Sequence, residues 1–229
     1  MGDVTTSRQF GSGPLSRISA LIYTLLVVEL LVLLTAVPGL VALVLLDRSA
    51  GNVPLMAACL LPAGPALSAA LYALRHRGRE LTELRPAPAF WRGYRLNFGA
   101  AMKIWVPWLV VLALVGTNLG NFSAAGVPGW WAALLVVLAA GATLWVANAL
   151  VITSLFAFRA VDVAKLAAYS LGRFPGATLA NTCLLIVAGG VTVLATEAAP
   201  ALLASVLTAT LLWNSRAMIT EVQQRFTRQ

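Results

Sequence analysis

Long apolar runs alternate in this chain with connectors that are basic on one side only, and no other feature constrains the fold as strongly. The runs at about Ile18–Val37, Pro54–Leu74, Ala101–Thr117, Trp130–Phe156, Ala177–Thr196 and Ala199–Trp213 read as membrane-spanning helices. Alternate connectors then hold Arg8 and Arg17; Arg75, Arg77, Arg79, Arg85, Arg92, Arg95 and Lys103; Arg159, Lys165 and Arg173; and Arg216, Arg225 and Arg228. Of 16 Lys and Arg residues, Arg48 alone falls on the other side. Basic loops are poorly translocated, so the basic side is expected to be cytoplasmic, with both termini there and an even number of spans.

The expected fold is therefore all-α: a polytopic membrane helix bundle of about six transmembrane helices, with in-plane cytoplasmic surface helices. A hydrophobic fraction of 60%, 10% charged residues and a mean hydropathy of +0.86 agree with that reading. In 229 residues, at roughly 20 per span, six or seven spans leave no room for a soluble domain. Residues 1–16 are expected as a disordered cytoplasmic tail, 17–216 as one bundle and 217–229 as a second cytoplasmic tail. The first run contains Glu29 and exceeds a signal-peptide core of roughly 7–15 residues, so it is expected to remain as a span.

The net charge of +8 is explained by orientation, and no nucleic-acid partner is expected. Cys59 and Cys183 sit in apolar runs at depths differing by roughly 13 Å, too far apart to bridge. Trp130 and Trp131 mark the outer interface, and Trp105, Trp108 and Trp213 the inner one. Leu40–Leu46, after Pro38-Gly39, either prolongs the first helix or lies along the outer surface.

The connector before the third run carries Phe90, Trp91, Arg92, Tyr94, Arg95, Asn97 and Phe98. Phe90, Trp91, Tyr94 and Phe98 are expected to share one face of an in-plane helix that then turns into the bilayer. Two roles are open for it: attraction to anionic lipid headgroups, or docking to another subunit centred on Tyr94, Arg95, Asn97 and Phe98. Asp162–Phe174 forms a second surface connector, which hints at a duplicated unit.

Glu29 is the one acidic residue that no loop accommodates; counted inward from the first basic residues it reaches the bilayer midplane. Asn148 reaches a similar depth from the other end of its run and is the expected partner. The pair reads either as interhelical glue with a neutral Glu29 or as part of a proton or solute pathway. Pro62, Gly64 and Pro65 interrupt the second run, and Gly189-Gly190 sit midway in the fifth. Close packing is favoured for both, with a broken-helix transport site as the alternative. His76 lies between Arg75 and Arg77 and is expected to be solvated, and no catalytic constellation, metal-ligand spacing or cofactor motif is present.

The run Gly64-Pro65-Ala66-Leu67-Ser68-Ala69-Ala70-Leu71-Tyr72, followed by Phe90-Trp91-Arg92-Gly93-Tyr94-Arg95-Leu96-Asn97-Phe98, resembles the YesL-like family of bacterial integral membrane proteins, from about Ser16 to Phe226. The long link from Pro38 to Val53 departs from its more compact members. The resemblance implies a non-enzymatic protein of the bacterial inner membrane, associated with carbohydrate uptake of the ABC type. Its expected contacts are the lipid bilayer and permease or ATPase subunits. A self-standing secondary transporter with a midplane site near Glu29 is the alternative.

Overall fold

The computed structural model describes residues 14–77, 84–194 and 199–226, and every regular element among them is helical. Apolar segments in lipid must satisfy their own backbone polar groups, and the helix does so within one segment. The helices are α1 (Pro14–Leu45), α2 (Val53–Cys59), α3 (Ala63–Arg75), α4 (Pro86–Gly120), α5 (Phe122–Ala125), α6 (Trp130–Leu155), α7 (Ala160–Arg173), α8 (Pro175–Leu194), α9 (Ala204–Asn214) and α10 (Arg216–Phe226). Among the described residues, five segments are long and apolar enough to cross a membrane: α1, α2 with α3, α4, α6 and α8. A sixth exists only if α9 and α10, bent by 53°, count as one. The reason is length, since the 11 residues of α9 reach only about 16 Å, half of the hydrocarbon core.

Several boundaries differ from the sequence reading. Helix α1 starts at Pro14, a residue suited to a first helical turn, and runs through Pro38 and Gly39, so Leu40–Leu45 prolong it. Of the expected N-terminal tail, residues 1–13 lie outside the described residues, as do Arg79, Thr196 and Arg228. The aromatic connector Phe90–Phe98 is not a separate surface helix that turns: it forms part of the 35-residue α4 without a break. By contrast α7 and α8 are separate helices, because Pro175 drives Phe174 out of the helical region, to φ −119 and ψ 70. The two connectors therefore differ in form. Expected as a tail, residues 217–226 belong to α10, whose Met218, Ile219 and Val222 are buried in the main core.

Helix α3 is the hub, packed against α1, α4, α6 and α9. Its Ala66, Ala69, Ala70 and Ala73 are fully buried, and such small residues let helices approach closely where lipid supplies no hydrophobic drive. At Gly64 the indole of Trp105 lies where a Cβ would be, and its Nε1–H donates to the Leu60 carbonyl at 2.9 Å. That carbonyl belongs to the break between α2 and α3 and also accepts the Ala63 N–H at 3.1 Å, so the indole gives it a second donor. Trp105 and Trp108 are accordingly core residues, 5% and 9% exposed, rather than interface markers. Trp213 remains exposed, with the Arg216 guanidinium 3.3 Å over its ring. Gly189-Gly190 do not break α8. Cys59 and Cys183 are both free.

Candidate functional site

Glu29 meets the start of α9. Leu203, at the N-cap, has no side chain able to cap, and the first N–H groups of any helix lack partners within it. The Glu29 Oε2 accepts the Ser205 N–H at 2.7 Å, which supplies that cap from another helix at the positive end of the α9 dipole. Packing of Val28 and Val32 with Ala204 brings the two helices together. Oε1 is buried and has no hydrogen-bond partner among the described residues.

The expected Glu29–Asn148 pair does not form. Helix α1 packs on α2, α3, α4 and α9, whereas α6 packs on α3, α4, α7 and α8, so the two side chains find their partners on different helices. Asn148 instead belongs to a directed chain of amides. Asn214 Nδ2 donates to Asn181 Oδ1 at 3.1 Å, Asn181 Nδ2 to Asn148 Oδ1 at 3.5 Å, and Asn148 Nδ2 to Ser170 Oγ at 3.2 Å. Ser170 then donates to the Ala167 carbonyl at 2.8 Å. A carboxamide both donates and accepts, so one residue type can tie α9, α8, α6 and α7 in sequence. Asn181 and Asn214 were visible as polar residues in or beside apolar runs; Ser170 and Ser205 carried no comparable signal.

Beside Asn181 opens a cavity of about 350 Å³ between α1, α3, α6, α8 and α9. Leu40, Leu67, Leu184 and Leu211 dominate its wall, with Asn181 and Thr208 among its few polar groups. Such a lining suits an apolar chain better than a polyol, which needs several convergent hydrogen-bond partners.

At the end of the bundle that carries Arg75 and Arg92, α3 and α4 are locked together. A Cβ at Gly93 would come within 2.7 Å of Tyr72 Cβ, so the two helices touch through glycine. Phe90 is fully buried against the α3 alanines, and Asn97 Nδ2 donates to the Ser154 carbonyl of α6 at 3.2 Å. Ser154 Oγ in turn lies 2.8 Å from Ser68 Oγ.

Helical rotation of about 100° per residue therefore sorts the seven candidate residues differently from the sequence reading. Phe90 and Asn97 are internal fixtures. Tyr94 is half-buried, its ring 5.6 Å from that of Phe98. Trp91, Arg95 and Phe98, at i, i+4 and i+7, share an exposed stripe, while Arg92 lines a separate pocket with Arg77 and Arg85.

Fold and polar interior together define a multi-pass helical membrane protein. Residues 19–119, from α1 through nearly all of α4, match the family described as "Protein of unknown function, DUF624". No curated protein and no solved structure matches the chain. The matched region contains both motifs that meet at the α3–α4 contact and stops short of α6–α10.

Proposed function

We propose that this protein is a non-enzymatic accessory component of a bacterial carbohydrate uptake system of the ABC type. It sits in the cytoplasmic membrane with both termini cytoplasmic and contacts permease or ATPase subunits through α4. The observation that supports docking is the stripe of Trp91, Arg95 and Phe98, exposed on a helix whose opposite face is fixed by Phe90, Gly93 and Asn97. A rigid aromatic–arginine surface is the kind that concentrates binding energy. The carbohydrate assignment rests on the family resemblance. Purification from native membranes in mild detergent is expected to bring down permease or ATPase subunits, and Arg95→Lys with Phe98→Ala to release them. Their absence, or unchanged recovery with that double variant at normal protein levels, would overturn the reading. Asn97 is unsuited to the test because it holds α6.

A secondary transporter is the second reading, favoured by the start of α9 beside a carboxylate oxygen that has no partner among the described residues and by the break at Leu60–Pro62. Proton-dependent uptake in proteoliposomes, abolished by Glu29→Gln in a folded protein, would establish it.

A further inference from the structure

We propose that the pocket between α1, α3 and the start of α4 is a binding site for a phosphate-bearing anion. It has a volume of about 280 Å³ and is lined by Arg77, Arg85 and Arg92, with His76, Tyr72 and Thr24 among its walls. Arg77 follows the end of α3, Arg85 is the N-cap residue of α4, and Arg92 lies two turns further on. Three arginines lining one concavity raise a positive potential there, which favours an anion. Among the described residues the lining contains no carboxylate, and none of the three arginines has a carboxylate partner.

The rest of the pocket is built to hold shape. The His76 ring stacks on Tyr72 with centroids 4.2 Å apart, and its Nδ1–H donates to the Tyr72 carbonyl at 2.9 Å, which fixes the ring's orientation. Thr24 is fully buried and donates to the Ala20 carbonyl at 2.8 Å, so its hydroxyl proton is already used. The start of α4 adds the positive end of a helix dipole, but Pro86 and Pro88 lack N–H groups. Recognition therefore falls to the guanidinium forks, whose planar pairs of donors match phosphate oxygens two at a time. Three cations suit a doubly charged phosphate better than a single carboxylate. The site lies apart from the Trp91–Arg95–Phe98 stripe and does not depend on the docking proposal.

A phosphate can arrive here as a phospholipid headgroup or as a soluble phosphate, and one experiment separates the sources. The thermal midpoint of the full-length protein in neutral detergent is measured during titration with phosphatidylglycerol, with phosphatidylcholine as control. The same is done with inorganic phosphate, with chloride at matched ionic strength as control. A saturable rise beyond the control is expected with at least one carrier. A rise with phosphatidylglycerol alone assigns the headgroup, and a rise with inorganic phosphate the soluble anion. Arg85→Gln and Arg92→Gln should each weaken the apparent affinity about tenfold, as loss of a charge-assisted hydrogen bond does. Arg95→Gln, an equal loss of charge outside the pocket, should leave it unchanged, and Arg77→Gln replaces any variant that fails to fold. No rise beyond the controls, or an equal loss with Arg95→Gln, would overturn the site.

Discussion

Glu29 and Ser205 lie 176 positions apart, yet the carboxylate of one accepts the backbone N–H of the other at 2.7 Å. The bond gives an ionisable residue inside an apolar helix a definite structural task, the capping of a helix that starts in the interior of the bundle.

Glu29→Gln keeps an oxygen acceptor for Ser205 and is expected to preserve folding. Glu29→Leu leaves that N–H without its partner and should cost about 1–3 kcal/mol. Thermal unfolding of the purified protein in detergent checks the order: equal midpoints for the two variants would mean that the cap contributes nothing.

Gly64→Ala places a methyl group where the Trp105 indole lies and should destabilise the protein by about 1–3 kcal/mol through overpacking. Trp105→Phe keeps a ring but loses the donor to the Leu60 carbonyl, so it should also destabilise. Tryptophan fluorescence should report a displaced indole in the first variant; wild-type spectra and stability would remove the α2–α3 break from the packing argument.

Asn181 stands in the middle of the amide chain, so Asn181→Ala breaks two side-chain bonds whereas Asn214→Ala breaks one. Interhelical bonds of this kind average about 0.6 kcal/mol in membranes, with a maximum near 1.7. The larger loss is expected at Asn181, and the double variant should lose less than the two single losses together. Strict additivity in a double-mutant cycle would show that the bonds are not coupled.

Helix α10 should be required for stability, since Met218 is 2% exposed and Val222 5% exposed in the main core. Met218→Ala is expected to cost about 2–5 kcal/mol, and truncation after Ser215 to lower the yield of folded protein sharply. A truncated protein with unchanged thermal stability would restore the reading of this segment as a tail.

Orientation is tested in a Cys59→Ala, Cys183→Ala background. Ser123→Cys should react with an impermeant thiol reagent in intact cells, and Gln224→Cys only after the membrane is opened. The opposite pattern would invert the bundle and place the basic pocket outside.

Helix class and the apolar segments were legible in the sequence. Both depend on local quantities: apolar content and the length of a helix at about 1.5 Å rise per residue. The lateral neighbours were not. Asn148 and Glu29 were placed at one depth, but rotation about each helix and the order of helices around α3 decide which side chains meet, and those follow from contacts distant in the chain. The same limit explains the split of Phe90, Arg92 and Arg95 among core, pocket and exposed stripe. It also explains α10: its apolar face was present in Met218, Ile219 and Val222, but only the surface formed by the other helices made it part of the core.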